Sequence, residues 1–419
     1  MMNLTNIEIR VVKKMKLLSK LKAHRQLLAV GAMFALIYMG SGAMNPYITL
    51  YYKQQGLSTG QIGVISAIGP LATLLLQTAW GRLADRTNRK GVLMLALLAS
   101  GVCAVLYLFG ASFPYILTVA LLFVVFNMAV LPMSDAMALE FCSSRNYRFA
   151  PIRLCGTIGY SLMPILLGSL FSAHLGSTFV VFALLCALAA VMALFFPAQA
   201  QRQAASSVPR EKTALAPLLR DPVILFLLIA NFFVSVGMGA YTYLPLYASS
   251  LGFDNNLCGL LSAIAAIAEI PSLLLIDKVM RKISGARIII ASTLFMALRL
   301  LFTFAAGACG RWALPMLIAG QLMQSVTYIT NYYCSAQLIH ERFPAQLKST
   351  AQTLLAMVTA GFSRILASLL AGWLSEPAVL GLQNMFLVFA VFLVAGLGLV
   401  LLAWRRCVRD IQQTGSQSM

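Results

Sequence analysis

Long runs of apolar residues, separated by short polar segments, are the feature that most restricts how this chain can fold. About twelve of them reach the roughly 20 residues that a helix needs to cross a hydrocarbon core ~30 Å thick. Inside lipid, each backbone N–H and C=O must be satisfied within the segment, so these runs must be helices. Only 10% of the residues are charged, whereas soluble domains typically have about 25%. The sequence therefore predicts an all-α integral membrane protein with twelve transmembrane helices.

A polar segment in the middle of the chain divides the predicted helices into two groups of six. The predicted spans are 27–50, 60–80, 91–110, 114–138, 149–172, 177–197, 223–247, 257–277, 287–307, 313–338, 349–374 and 383–404. We accordingly predict a basic N-terminal arm, a first bundle, a linker, a second bundle and a cytoplasmic tail, at residues 1–26, 27–197, 198–222, 223–404 and 405–419. The arm has apolar residues on one helical face, which suits either a helix lying on the membrane surface or a true translation start near Met15.

The formal net charge of +19 predicts membrane topology rather than a nucleic-acid partner, because the cations do not cluster on one soluble region. The arm holds seven Lys and Arg residues, and the even-numbered loops with the tail hold nineteen. The odd-numbered loops hold only Lys53 and Arg311. Loops rich in Lys and Arg stay inside, so we expect a multi-pass protein of the inner (cytoplasmic) membrane with both termini in the cytoplasm. The cationic loops would bind anionic membrane lipids.

The two predicted bundles share a residue pattern that indicates an internal repeat. The segments Tyr47–Gly56 and Tyr243–Gly252 carry Tyr, Leu, Tyr and Gly in one register, at an offset of 196 residues. At the same offset, residues 63–68 and 259–264 share Gly followed by Ser-Ala-Ile. Two parallel repeats predict two pseudo-symmetric bundles with a solute site between them.

Two charged segments, Gly81–Lys90 and Asp277–Lys282, interrupt the two halves at equivalent places with the same acid-base-x-x-base-base spacing. The first resembles the conserved loop between helices two and three of the major facilitator superfamily, at Gly81, Asp85, Arg86, Arg89 and Lys90. The run from Asn45 to Asp85 is similar to the branch that contains lactose permease and the nucleoside and phenylpropionate symporters. The resemblance to the superfamily covers essentially the whole chain. It implies alternating access by a monomer, with the first segment and Asp277 acting as a cytoplasmic gate.

One acid–base pair is placed to meet between helices four and five. A charge at mid-bilayer costs at least ~2.5–3.5 kcal/mol, so each one needs a partner or a function. Asp135 and Arg153 lie on consecutive antiparallel helices, and Tyr160 follows Arg153 by two turns on the same face. A guanidinium binds hydroxyls or carboxylates, and a ring can stack on a sugar or base. We predict that these three residues bind solute, with a structural ion pair as the alternative. The segment also resembles the lactose permease substrate helix, with Tyr in place of Trp.

A second group of residues is predicted to handle a proton. Glu269 precedes Pro271 in an otherwise apolar helix, and burial there favours the neutral form of a carboxyl. Arg299 matches the helix-nine arginine that serves proton coupling in the lactose permease family. Gln324 and Thr327 stand where that family has a His and a Glu. The resemblance therefore implies transport more firmly than it implies proton symport.

Further residues are predicted to line a cavity between the halves. One face of helix ten carries Gln324, Tyr328, Asn331 and Tyr332. Hydrogen bonding between helices is the alternative role for that face. In a two-repeat arrangement, the cavity is flanked by Asn45, Tyr47 and Tyr241. The intramembrane arginines, Arg153, Arg299 and Arg364, outnumber the two acids, which favours an anionic or polyhydroxyl solute.

The sequence contains no Ser-His-Asp group, P-loop or metal-ligand spacing, which argues against an enzyme, an ATP-driven pump, a cofactor or a metal site. It predicts a secondary active transporter for a sugar, nucleoside or small organic acid, working by proton symport. Efflux or uncoupled facilitated diffusion through the same fold is the alternative, and a non-transporting membrane sensor is a third. The antiporter signature is absent from helix five, which reads Leu162-Met163-Pro164-Ile165. This absence disfavours efflux.

Overall fold

The computed structural model describes residues 25–145, 147–196 and 215–417, which are almost entirely helical. The predicted arm up to residue 24 and the linker up to residue 214 lie outside these ranges. The long helical elements are α1 (Arg25–Gln54), α2 (Thr59–Arg86), α3 (Arg89–Phe109), α4 (Phe113–Ser144), α5 (Ala150–Ala173), α6 (Ser177–Leu194), α7 (Pro222–Ser250), α8 (Asn255–Met280), α9 (Gly285–Ala306), α10 (Ala313–Leu322, Ser325–Ile329 and Thr330–Arg342), α11 (Ala345–Ala356, Met357–Phe362 and Ser363–Leu374) and α12 (Gly381–Gln417). A short helix, Leu215–Arg220, precedes α7.

Ten of these helices are long and apolar enough to cross a bilayer as single elements. Helix α8 is an eleventh, with a bend of 47° between its parts Asn255–Ser272 and Leu274–Met280. Helix α10 occupies the place of the predicted tenth span, but a π-helical turn at Ser325–Ile329 divides it. Both helices lie at predicted spans, and each is irregular within its span. The physical reasons are Pro271, which cannot donate a backbone hydrogen bond, and the polar residues near the middle of α10.

The internal repeat is present in the backbone. Gly56 lies between α1 and α2, and Gly252 lies between α7 and α8. Both have a positive φ, 82° and 89°, which a glycine adopts without strain. Two residues after each glycine, a polar side chain caps the next helix: Ser58 accepts from the Gln61 N–H, and Asp254 accepts from the Leu257 N–H. Equivalent residues of the two halves thus start α2 and α8 in the same way.

The hydroxyls of two equivalent tyrosines make the same tie in each half. Tyr51 of α1 donates to the Tyr107 carbonyl at the end of α3, at 2.7 Å. Tyr247 of α7 donates to the Phe304 carbonyl near the end of α9, at 3.3 Å. Both bonds anchor the first helix of a half to its third helix. The repeat predicted from residue identity therefore extends to tertiary contacts.

The two halves meet along two equivalent helix pairs. Helix α2 packs against α11, and α8 packs against α5. The two pairs are equivalent, because the internal repeat relates α2 to α8 and α5 to α11. We call the end of the bundle that holds Arg25 and the start of α7 the terminal end. The opposite end, where α1 finishes and α2 begins, is the distal end. The polar residues discussed below lie between these ends, where the halves face each other.

Candidate functional site

The predicted acid–base pair of α4 and α5 is formed. An Arg153 Nη1 donates to Asp135 Oδ1 at 3.3 Å. The guanidinium also lies over the ring of Tyr38 of α1, with 4.9 Å from its carbon to the ring centroid. Gly156, one turn after Arg153, leaves room for this ring, because a Cβ there would come within 2.7 Å of it. Three helices of the first half thus hold a cation between a carboxylate and an aromatic face.

The predicted Glu269 and Arg299 are joined through a glutamine. Arg299 is only 2% exposed, and its guanidinium donates to the side-chain oxygens of Gln324 and Gln321, the latter at 2.8 Å. The other end of the Gln324 amide donates to Glu269 Oε1 at 2.8 Å. Tyr241 stacks on Arg299 with 3.8 Å between the guanidinium carbon and the ring centroid. Helices α7, α8, α9 and α10 therefore share one polar network inside the membrane-spanning region.

Glu269 is the residue of this network that faces the first half. It lies on α8, which packs against α5, the helix of the first half that carries Arg153 and Tyr160. The Glu269 side chain is half-buried, and Pro271 follows it by two residues, near the bend of α8. The carboxylate thus stands between the polar groups of the two halves.

A chain of amides connects α7 to α10. Asn231 donates to the Leu227 carbonyl and to Ser335 Oγ, at 2.8 and 2.9 Å. Its own oxygen accepts from Asn331 Nδ2 at 2.8 Å. Because the Leu227 carbonyl can only accept, it fixes the orientation of both amides. The Asn331 oxygen is left without a hydrogen-bond donor among the described residues.

A cavity of about 360 Å³ lies beside these amides, between α2 of the first half and α7, α10 and α11 of the second. Its polar wall is formed by Thr73, Asn231, Ser235, Tyr328, Asn331 and Arg364. The π-helical turns of α10 and α11, at Ser325–Ile329 and Met357–Phe362, both contribute to it through Tyr328 and Thr359. Such turns occur frequently at functional sites.

The predicted lining residues occupy different places. Tyr328, Asn331 and Tyr332 line the cavity, whereas Gln324 lies in the buried network and Tyr241 packs on Arg299. The fully buried Tyr47 lies near the distal end, where its hydroxyl contacts Gly259 of α8 and lies near Gly168 of α5. Asn45 is exposed beside it. The structure thus separates Asn45 and Tyr47 from the cavity that they were expected to flank.

The distal end joins the two halves by backbone-level contacts. Tyr243, the equivalent of Tyr47, donates to the Thr59 carbonyl of α2 at 3.0 Å. Its hydroxyl lies against Gly63 of α2 and Gly372 of α11, two glycines that also face each other. The reciprocal contacts of Tyr47 and Tyr243 follow from the internal repeat. Each half therefore inserts one tyrosine against a glycine of the other half.

A carboxylate at the same end caps α2 across the interface. Glu376, in the loop after α11, accepts from the Gly60 N–H at 2.7 Å. This hydrogen bond holds the pKa of the Glu376 carboxyl below its ordinary value, so the group stays ionised at the positive end of the α2 dipole. The Asn255-to-Ser172 bond adds a third hydrogen bond between the halves at the distal end, beside those of Tyr243 and Glu376.

The charged segment Gly81–Lys90 lies at the terminal end. Arg89 binds Asp85 at 2.6 Å and Glu140 of α4 at 3.1 Å, so it ties the ends of α2, α3 and α4 together. Lys90 donates to the Phe196 carbonyl at 3.2 Å and so stabilises the C-terminal end of α6. In the second copy, Asp277 instead accepts from Tyr333 of α10 at 2.6 Å. The two segments are equivalent in position and differ in their contacts.

Among the residues of these networks that were not predicted from the sequence are Tyr38, Gln321 and Asn231. Each is polar or polar-tipped inside an apolar run, which is the available signal for a membrane helix. Gln321 also precedes Gln324 by three residues, so both lie on one face of α10. Arginines and carboxylates inside a membrane helix can be identified from the sequence by their charge. The roles of these three uncharged residues follow only from the residues that they contact.

Comparison with known proteins identifies the fold and the family. The model of the MFS_1 like family matches residues 27–388. The uncharacterized transporter YwbF of Bacillus subtilis is 24% identical over 91% of this chain and 94% of its own length. The maltose permease of Geobacillus stearothermophilus is 24% identical over 89% and 93%. A crystal structure of the nucleoside transporter NupG, 16% identical, superposes with a TM-score of 0.79 over 91% of this chain and 99% of its own. The chain therefore belongs to the MFS_1 like family and is a transporter of the major facilitator superfamily.

Proposed function

We propose that this protein takes up a small solute by proton symport. Two of the proteins named above are a maltose permease and a nucleoside transporter, which supports a small polar solute. The observation that carries the proposal is the half-buried Glu269, which hydrogen-bonds to Gln324 and faces the polar groups of the first half. A protonatable group at this place can exchange its proton with either side as the halves move.

The distribution of contacts supports an inward-facing state. If the cationic loops lie in the cytoplasm, the distal end faces outward, and the hydrogen bonds between the halves close that side. In this state, solute and proton would leave toward the cytoplasm. The outward-facing state would require the contacts of Tyr47, Tyr243 and Glu376 to separate and the terminal ends to meet.

The proton step follows from the contacts of Glu269. In its neutral form Glu269 can donate a hydrogen bond, and in its charged form its oxygen accepts from the Gln324 amide, which also binds Arg299. Protonation weakens the tie from Glu269 through Gln324 to Arg299 and so loosens α8 from α9 and α10. Because Glu269 also faces Arg153 and Tyr160, its charge biases how solute is held by the Asp135–Arg153 pair. This gives one group an influence on both ligands, as symport requires.

Transport by the purified protein in liposomes tests the proposal. Radiolabelled maltose, uridine and benzoate would be offered with and without an inwardly directed proton gradient. Symport predicts accumulation of at least one solute above its external concentration only when the gradient is present. Equilibration without accumulation would indicate a facilitator, gradient-driven extrusion would indicate efflux, and no flux of any of them would contradict transport of these classes.

The charged segment at the terminal end gives a separate prediction. Asp85→Asn removes the carboxylate that Arg89 holds, and we expect a lower maximal transport rate with little change in the solute concentration that gives half-maximal rate. The reason is that Asp85 lies far from the cavity and would act when the terminal ends meet. Kinetics of solute entry would check this, with Asp277→Asn as the matched variant in the second half. An unchanged rate for Asp85→Asn would show that the segment serves only topology.

A further inference from the structure

Among the residues that the structure describes, one intramembrane arginine is in no ion pair. Arg153 pairs with Asp135, and Arg299 reaches Glu269 through Gln324. Arg364, ten residues before the end of α11, forms no ion pair with any described carboxylate. The excess of one positive charge that the sequence contains inside the membrane is therefore located at this residue.

The surroundings of Arg364 are those of a ligand site. The half-buried side chain lines the 360 Å³ cavity, opposite the amides of Asn231 and Asn331 and the rings of Tyr328 and Tyr332. The rings are 40% and 61% exposed, so they present area that a ligand can cover. The amides are held by the Leu227 carbonyl and Ser335, so they form a fixed wall of the cavity and leave the carboxylate of a ligand to Arg364.

The backbone at this place is irregular on both sides of the cavity. The π-helical turn Met357–Phe362 immediately precedes the turn of α11 that carries Arg364, and the turn Ser325–Ile329 carries Tyr328. A π-turn costs regular hydrogen bonding and is retained mostly where function needs a particular side-chain direction. Two such turns on facing helices are an observation independent of the charge.

We propose that Arg364 binds the carboxylate of a small organic acid that contains one ring, and that this site determines the solute class of the proposed transporter. A guanidinium presents a planar pair of N–H donors that matches a carboxylate. An unpaired cation in this region is costly, and an anionic solute removes that cost as the cavity closes around it. The inference rests on the proposed function in one respect: the ligand of the cavity is taken to be the transported solute.

The dimensions of the cavity restrict the acid. A volume of about 360 Å³ is at the lower end of the range for small-molecule sites, roughly 300–1,000 Å³. It has room for one aromatic or sugar ring with its carboxylate. Tyr328 and Tyr332 supply ring faces, while Thr73 and Ser235 supply hydroxyls. The predicted ligand is a monocyclic carboxylic acid, with Arg364 holding the charge and the tyrosines holding the ring.

Direct binding to the purified protein tests this assignment independently of flux. Isothermal titration would compare benzoate with benzamide, and glucuronate with glucose, so that each pair differs in the carboxylate. We expect at least one acid to bind at least about tenfold more tightly than its neutral partner, the order of one charge-assisted hydrogen-bonded contact. Arg364→Gln is expected to remove that preference, and Arg364→Lys to retain part of it.

Two control variants separate a specific effect from a general one. Arg287→Gln removes an exposed cation at the start of α9 and should leave the preference unchanged. Glu341→Gln, at an exposed carboxylate on α10, should also leave it unchanged. Because binding is measured without a proton gradient, loss of proton coupling and loss of acid binding are distinct results. Equal binding of acids and neutral partners, absence of binding by both acids, or a preference that persists in a folded Arg364→Gln protein would each overturn the assignment.

Discussion

Replacing Glu269 by Gln is expected to abolish proton-driven accumulation and to leave exchange of solute for solute intact. Glutamine has nearly the same shape and can still accept a hydrogen bond from Gln324, so the network with Arg299 persists. It cannot take up or release a proton. The ratio of internal to external solute should therefore fall to about one, because the proton gradient is no longer coupled to the solute.

The measurement is made in liposomes with the same protein under two conditions. A proton gradient reports coupled accumulation, and labelled solute inside against unlabelled solute outside reports exchange. Glu341→Gln is the matched control, because Glu341 is an exposed carboxylate on α10 that contacts only the neighbouring turn. Accumulation that survives Glu269→Gln would refute the proposed role, and loss of exchange as well would assign Glu269 to solute binding or folding.

The fold could be predicted from the sequence because several independent features that extend over the whole chain agree with one another. Apolar run length gives the helices, alternating loop charge gives the expected orientation, and the repeat gives the arrangement of the halves. The equivalence of Tyr51 and Tyr247 illustrates this, since both were aligned by residue pattern and both anchor to the third helix of their half. The irregular helices α8 and α10 were less accessible, because proline and polar residues change hydrogen bonding locally.

The candidate site was only partly accessible from sequence. Asp135 and Arg153 could be paired because they lie on consecutive helices, where spacing alone brings them together. The partner of Arg299 could not be found in this way, since Gln324 joins it to Glu269 across three helices. Gln324 stands at a place where the resemblance suggested lost proton chemistry, yet it connects the two charged residues. Contacts between distant helices depend on tilt and rotation, which residue spacing does not specify.

Gly63 is the position where the smallest substitution is expected to have a large effect on the conformational equilibrium. A Cβ on Gly63 would lie 2.7 Å from the Ser368 carbonyl oxygen, 2.9 Å from Gly372 Cα and 3.0 Å from the Tyr243 hydroxyl. Two of these atoms belong to the backbone of α11 and cannot rotate away. Gly63→Ala therefore disfavours the state in which the distal end is closed, whereas a state with α2 and α11 apart has no such clash.

Overpacking of this kind costs about 1–3 kcal/mol, which corresponds to a shift of roughly 5- to 150-fold in the equilibrium between the two states. Labelling of a cysteine introduced at Thr59, which is buried where the halves meet at the distal end, by a membrane-impermeant maleimide would report the opening, with Cys309 replaced by Ser. We expect faster labelling in Gly63→Ala and a reduced transport rate, because the protein spends less time closed at the distal end.

Gly69 provides the control on the same helix. A Cβ at Gly69 has no neighbour within 4 Å, so Gly69→Ala changes the helix propensity of α2 equally without touching α11. It should leave both labelling and transport close to those of the unmodified protein. If Gly63→Ala labels no faster than Gly69→Ala, the close approach of α2 and α11 does not hold the distal end closed. If both variants label faster, the effect belongs to α2 itself, and the tyrosine–glycine contacts at the distal end would serve packing within the membrane instead of selecting between two states.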